Sequence, residues 1–163
     1  MNFRHDEFTI DLLLLPLLRD GRIGELFGLL DAFVENNPEW IVSRAFGAFL
    51  TTLVSAKELG TASVLLETYI VPSSSSCRDP HDQVVRPNIR QFNVVLEGYR
   101  KGFQLERRRL NATNESADQG WRWYRTLLET TALRPDGYTL SSVMGLCRDS
   151  FELSTLLLEA VSH

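Results

Sequence analysis

This 163-residue sequence has two cysteines, and it has no apolar run long enough to span a membrane. Cys77 and Cys147 are far apart, which excludes the dense disulfide framework of small secreted domains and is typical of reduced intracellular thiols. The apolar run at 12–18 is short, contains Pro16 and follows acidic residues. We therefore expect neither a signal peptide nor a membrane anchor at this end, and no membrane association.

The sequence also lacks the patterns that usually carry chemistry. It contains no glycine-rich phosphate loop, no zinc-protease histidine pair and no nucleophile elbow. Cys77, His81 and Asp82 lie close together, but a structural zinc site needs about four well-placed ligands and no second pair lies nearby. The sequence predicts no catalytic residue, no bound metal, no cofactor and no small-molecule substrate. We do not expect an enzyme.

Charge is distributed unevenly along the chain. The net charge is −4, but residues 1–83 carry −6 and residues 84–163 carry +2. Only Lys57 and Lys101 among the 17 basic residues are lysines. Arginine stacks on planar groups and binds phosphate in a bidentate manner better than lysine does. A polyanion would therefore contact the second half of the chain.

Apolar residues recur with helical spacing over most of the sequence. One set of this kind is Phe46, Phe49, Leu50 and Leu53, and another is Phe92, Val95, Leu96 and Tyr99. Other stripes are predicted at Leu26, Leu29, Leu30, Phe33; at Val64, Leu65, Leu66, Tyr69; and at Trp121, Tyr124, Leu127, Leu128. Glycines at 60 and 102 are predicted to end two helices. The pattern predicts an all-α protein of roughly eight helices in four antiparallel pairs.

Two polar stretches interrupt this helical pattern. Residues 72–86 are serine-rich and predict a linker, and residues 103–117 predict an insertion. The arginine run at 107–109 is interpreted as solvated surface, with phosphate contact as the alternative. The cluster of Trp121, Trp123 and Tyr124 is interpreted as core, with a stacking platform as the alternative.

One phrase occurs twice before a predicted helix. Residues 86–96 read Arg-Pro-Asn-Ile-Arg-Gln-Phe-Asn-Val-Val-Leu, and residues 134–144 read Arg-Pro-Asp-Gly-Tyr-Thr-Leu-Ser-Ser-Val-Met, 48 residues later. A recurring phrase in front of a helix indicates a repeat architecture.

These two stretches, continued to residues 102 and 148, resemble successive pentatricopeptide repeats. The resemblance is closest there, moderate over 120–133 and weak over 1–71. It implies a right-handed superhelical solenoid of antiparallel helix-turn-helix repeats that binds single-stranded RNA, about one base per helical repeat. It also implies a mitochondrial or plastid factor in RNA processing, stability, editing or translation, although no transit peptide is visible in this chain.

The resemblance implies particular RNA-contacting residues. Asn93 and Asp136 take the two base-reading places of one repeat, a combination that the family uses for pyrimidines and above all uracil. An amide offers both a donor and an acceptor to a base edge, and a carboxylate can orient it. Ser141 takes the first of these places in the next repeat. Arg90 and Tyr138 take the base-sandwiching places, where the family usually has a branched aliphatic residue, and packing of Tyr138 between helices is the alternative.

The resemblance divides the chain into two divergent hairpins at 1–71, the linker at 72–86, one repeat with its insertion at 87–136, and a further, truncated repeat at 137–163. Residues 89–136 exceed the usual repeat of about 35 residues, and the surplus falls in 103–117. A protein-binding scaffold similar to tetratricopeptide repeats remains the alternative, and the acidic residues of 1–83 favour it.

Overall fold

The structure, a computed structural model, describes residues 16–69, 88–108, 113–130 and 133–162. Within these ranges every regular element is a helix and no strand occurs, which confirms the all-α prediction there. After a short helical stretch at 16–19, the helices are α1 (Ile23–Asn36), α2 (Glu39–Ser55), α3 (Leu59–Tyr69), α4 (Ile89–Glu106), α5 (Glu115–Thr130), α6 (Gly137–Met144) and α7 (Ser150–Ser162). The predicted linker at 72–86 and the apolar run up to residue 15 lie outside the described residues.

Helices α2 and α4 lie side by side and run in the same direction. Gln91, near the start of α4, donates a side-chain hydrogen bond to the backbone carbonyl of Ser43, near the start of α2, at 3.2 Å. Further along both helices, a Cβ on Gly98 would lie 2.9 Å from a methyl group of Val54. Because the contacts advance along both helices together, the two helices are parallel neighbours.

Helix α6 continues this layer on the other side of α4. Thr139 contacts Asn93 near the start of both helices, and Ser142 contacts Glu97 one turn later. These contacts again advance in the same direction along both helices. Helices α2, α4 and α6 therefore form one layer of parallel neighbours, in which α4 is the central member.

Helices α3 and α5 form a second layer that packs against the first. Helix α5 runs antiparallel to α4, since Ser116 at its start bonds Glu106 at the end of α4, while Trp123 meets the Phe92 ring near the start of α4. A partly buried polar link joins α3 and α5 to α4. The Ser63 hydroxyl lies 2.6 Å from the Tyr99 hydroxyl and accepts the indole N–H of Trp123 at 2.9 Å. Helix α7 packs on α6.

The hydrophobic core lies between the two layers. The stripes predicted on α2 and α4 are confirmed, because all of their members are buried. Two residues predicted to face the core are instead exposed: Leu29 on α1 and Val64 on α3, with exposed fractions of 44% and 49%. Each lies beside the true stripe, which Leu26 and Leu30 form on α1. Across the described ranges, none of the helices combines the length and apolar character needed to cross a membrane.

The predicted helix end at Gly102 is wrong, since α4 continues to Glu106. Gly102 is a packing residue, because a Cβ there would lie 2.8 Å from the Ser116 hydroxyl of α5. Phe103, the next residue, is buried, and Glu106 accepts hydrogen bonds from Ser116. The predicted insertion at 103–117 is therefore helical at both of its ends.

The predicted helix end at Gly60 is also wrong, because α2 ends at Ser55 and Gly60 lies inside α3. The turn is made by Lys57, whose φ is +68°, with its N–H donated to the carbonyl of Val54. The next N–H, that of Glu58, is donated to the carbonyl of Leu53 at 2.9 Å. This pair of bonds is a Schellman motif, which usually has glycine at the left-handed position.

Replacing Lys57 by glycine is expected to stabilise the protein. A left-handed conformation costs a non-glycine residue roughly 1 kcal/mol, so Lys57→Gly should raise the free energy of unfolding by about that amount. Chemical denaturation of both proteins measures this difference. Gly21→Ala is the matched control of opposite sign, because Gly21 has φ +69° and no atom within 4 Å of its missing Cβ. An unchanged or lowered stability in Lys57→Gly would contradict the account.

Candidate functional site

The duplicated Arg-Pro-Asn/Asp phrase forms the starts of α4 and α6. Asn88 precedes α4; its side chain accepts the N–H of Arg90 at 3.0 Å, and its own N–H is donated to the Gln91 side chain. Asp136 precedes α6; its carboxylate accepts the N–H of Thr139 at 2.8 Å, and its own N–H is donated to the Thr139 hydroxyl at 3.2 Å. Each is a reciprocal capping box, which fixes where the helix begins.

The structure brings Asn93 and Asp136 together, although 43 residues separate them in the sequence. The amide nitrogen of Asn93 donates to both carboxylate oxygens of Asp136, at 3.1 and 3.3 Å. Asn93 is only 6% exposed, whereas Asp136 lies at the surface. The buried amide is also anchored at its other end, because its oxygen accepts the hydroxyl of Thr139 at 2.7 Å.

The hydrogen bonds to Asp136 lower the pKa of its carboxyl group, and the N–H of Thr139 makes the largest contribution. The Asn93 amide and the backbone N–H of Tyr138 act in the same direction. All of these donors favour the ionised carboxylate. The pair is therefore built around a negative charge at neutral pH.

This depressed pKa predicts a loss of stability in acid. A carboxyl group whose folded-state pKa lies below its unfolded value stabilises the fold above the unfolded value, about 3.9, and this contribution is lost as the pH falls through the folded value. We expect Asp136→Asn to flatten the decline in unfolding free energy below about pH 4. Denaturant titrations between pH 2 and pH 6 test this, and an unchanged pH profile in the variant would contradict it.

Arg90 and Tyr138 are both exposed next to this pair. Arg90 lies one helical turn before Asn93, and Tyr138, which is 57% exposed, lies two residues after Asp136. The alternative in which Tyr138 packs between helices is not what the structure shows. Ser141 is also exposed on α6, one turn after Tyr138.

Trp40 on α2 occupies the place that corresponds to Arg90 and Tyr138. Gln91, one residue after Arg90, contacts Ser43, three residues after Trp40. Thr139, one residue after Tyr138, contacts Asn93, three residues after Arg90, by the same offset. Trp40 is 68% exposed. We call the three exposed planar side chains Trp40, Arg90 and Tyr138 the planar row.

Trp40 could have been found from the sequence. It is the second residue after the N-cap Pro38, as Arg90 is after Asn88 and Tyr138 is after Asp136. The signal was missed because the residues around Trp40 do not share the duplicated phrase. Counting residues from each predicted N-cap would have identified Trp40.

A second polar link holds α4 against α6 beyond the Asn93–Asp136 pair. Arg100 donates two hydrogen bonds of 2.6 Å to the carboxylate of Glu97, which also lies 3.4 Å from the hydroxyl of Ser142. The hydrogen bond from Arg100 lowers the pKa of Glu97. The Arg100 side chain lies over Gly145, the C-cap of α6, where a Cβ would lie 2.5 Å from its Cδ.

The aromatic cluster of α5 is mainly core, as predicted. Trp123 and Tyr124 are 3% and 2% exposed, and Trp121 packs edge-on against Tyr124 with ring centroids 5.9 Å apart. Of the arginine run, Arg107 and Arg108 are exposed at the end of α4, and Arg107 lies over the Phe103 ring. Residue 109 lies outside the described part of the chain.

An open groove lies between α5 and α7, away from the planar row. Its lining residues include Trp121, Arg125 and Glu129 of α5 with Phe151 of α7, which is 78% exposed. Arg148, in the turn before α7, bridges the two helices by pairing with Asp118 of α5 at 3.0 Å and with Glu152 of α7. Among the described residues, no group of three or more histidine, cysteine or acidic side chains is placed to hold a metal ion.

Comparisons with known proteins identify no family for this chain. No protein-family model, curated protein or solved structure matches this chain. The family resemblance therefore rests on the residues themselves.

Proposed function

We propose that this chain is a segment of a pentatricopeptide-type repeat protein and binds single-stranded RNA along the layer formed by α2, α4 and α6. The observation that carries this proposal is the Asn93–Asp136 pair, with the exposed Arg90 one helical turn before Asn93 and the exposed Tyr138 two residues after Asp136. A base that stacks between two planar groups and meets an amide at its edge is bound by the recognition mode usual for single-stranded RNA.

The chemistry of the pair fits base reading. Asn93 uses one N–H on Asp136 and one lone pair of its oxygen on Thr139, which leaves a second N–H and a second lone pair. A uracil edge offers a complementary acceptor and donor. The planar groups contribute stacking that every base can use, so selectivity falls to the amide.

The wider architecture follows from the same proposal. The parallel layer of α2, α4 and α6, backed by α3 and α5, supports a right-handed superhelical solenoid of antiparallel helix-turn-helix repeats. In this arrangement the chain contributes binding to RNA processing, stability, editing or translation in a mitochondrion or plastid. Catalysis, cofactors and small-molecule substrates have no place in it.

RNA titration at several salt concentrations tests the proposal. Uridine-containing single strands should bind, with an affinity that falls as salt rises because phosphate contacts release counterions. Exchanging the pair, Asn93→Asp with Asp136→Asn, should change base preference more than overall affinity. A folded protein that binds no RNA would overturn the function, and equal losses for all bases would overturn the base-reading assignment.

A protein-binding scaffold similar to tetratricopeptide repeats is the second candidate. The groove between α5 and α7, with Phe151 exposed at its edge, and the −6 charge of residues 1–83 favour it. The two candidates use different surfaces. Phe151→Ala with Arg125→Ala should leave RNA binding unchanged if the first is right, whereas Trp40→Ala with Tyr138→Ala should leave binding of a protein partner unchanged if the second is right.

A further inference from the structure

Thr139 contacts both members of the Asn93–Asp136 pair although it belongs to the next helix of the layer. Its side chain has no exposed surface, so it cannot contact RNA itself. Its hydroxyl oxygen lies 2.7 Å from Oδ1 of Asn93 and 2.9 Å from Oδ1 of Asp136. A hydroxyl has a single proton, so Thr139 can donate a hydrogen bond to only one of these two acceptors.

The surrounding hydrogen bonds indicate which acceptor receives the Thr139 proton. Oδ1 of Asp136 already accepts the backbone N–H of Thr139 at 2.8 Å, and the carboxylate also receives the amide of Asn93. Among the described residues, Oδ1 of Asn93 has no donor other than the Thr139 hydroxyl. A buried acceptor without a donor is costly, so the proton belongs on the Asn93 side.

The Asn93 amide is then held at both ends. Its nitrogen donates to a carboxylate, and its oxygen accepts from a hydroxyl. A flipped amide would place Oδ1 against the Asp136 carboxylate, where two acceptors would face each other without a proton. Asp136 therefore sets which way the amide points, and Thr139 stops the amide from rotating away from that orientation.

We propose that Thr139 is a positioning residue that fixes the Asn93 amide for base discrimination, so that α6 controls the reading by α4. This inference rests on the proposed function. It makes the selectivity at Asn93 depend on a residue that never meets the base and belongs to the following repeat.

Two substitutions at Thr139 separate positioning from folding. Thr139→Val keeps the shape and removes the hydroxyl, and Thr139→Ser keeps the hydroxyl. Affinities are measured for four RNAs that differ only in the base opposite Asn93. We expect Thr139→Val to reduce the ratio between the best and worst base by about three- to ten-fold, the effect of one ordinary hydrogen bond, with the salt dependence unchanged. Thr139→Ser should stay within about two-fold of the parent, given that one hydroxyl replaces another.

Ser142→Ala is the matched control on the same helix. Ser142 is 2% exposed and its hydroxyl contacts Glu97, not Asn93. Its loss can loosen the contact between α6 and α4, but the base ratio should not change. If Ser142→Ala lowers the ratio as much as Thr139→Val does, the role of Thr139 is structural and the proposal is overturned.

Hydrogen exchange of the Asn93 side-chain amide, followed by NMR in the RNA-free protein, gives a second readout. Thr139→Val should speed this exchange several-fold, and Thr139→Ser should leave it close to the parent rate. An unchanged rate in Thr139→Val would overturn the positioning role even if RNA binds. If Thr139→Val speeds exchange but the protein binds no RNA, Thr139 still holds the Asn93 amide and the proposed function is overturned. If exchange is faster but the ratio between the best and worst base is unchanged, the role of Thr139 in base discrimination is overturned.

Discussion

Trp40→Ala combined with Tyr138→Ala is expected to weaken RNA binding by at least about 30-fold, since each base–aromatic stack contributes about 1–3 kcal/mol. Both side chains lie more than half exposed at the ends of the planar row. Their removal should affect all RNA sequences alike, because stacking is available to every base. Binding isotherms with several single-stranded RNAs at one salt concentration measure the loss.

The control for this prediction removes exposed apolar side chains from other surfaces. Leu29 on α1 and Phe151 on α7 are 44% and 78% exposed. Leu29→Ala with Phe151→Ala deletes comparable apolar surface, and we expect RNA affinity to stay within about two-fold, as no base stack is removed. Equal losses in the two double variants would contradict a specific role of the planar row.

Trp123→Ala is expected to have the largest effect on stability, a loss of about 3–5 kcal/mol. Trp123 is 3% exposed, and its ring meets Phe92 at 6.0 Å between centroids. Its indole N–H also donates to Ser63, which in turn contacts the Tyr99 hydroxyl. The substitution therefore leaves a cavity between α3, α4 and α5 and removes a partly buried hydrogen bond.

Equilibrium denaturation of Trp123→Ala against the parent protein measures this loss. Trp40→Ala provides the matched control, because the same residue type is 68% exposed there and its removal should change the unfolding free energy by less than about 0.5 kcal/mol. Trp123→Ala within 1 kcal/mol of the parent would show that the core does not depend on this contact.

The apolar faces of α2 and α4 could be predicted from the sequence because residues spaced three or four apart lie on one side of a helix, and that side is buried. The capping signals were equally readable, since Asn88 and Asp136 bond to their own helices within three residues. The pairing of Asn93 with Asp136 followed from a family resemblance, and no local rule would have placed two residues so distant in sequence at 3.1 Å.

The helix ends at Gly60 and Gly102 could not be predicted from local signals. Glycine ends helices when its backbone turns left-handed, and it also permits close packing when a neighbour needs the space. Gly102 takes the second role because Ser116 lies against it, and Lys57 takes the turn that glycine usually makes. Which role applies depends on neighbours that are remote in the sequence.

The close approach at Gly98 has a consequence for the face that contacts RNA in our proposal. A Cβ at Gly98 would lie 2.5 Å from the Leu59 side chain, so α4 comes closer to the corner between α2 and α3 than any larger residue would allow. Gly145 permits a similar approach of α6 to the Arg100 side chain of α4. Larger residues at these two positions would push the neighbouring side chains away, so both glycines affect the spacing from Trp40 to Arg90 and from Arg90 to Tyr138. The spacing of the planar row therefore depends on two residues that have no side chain.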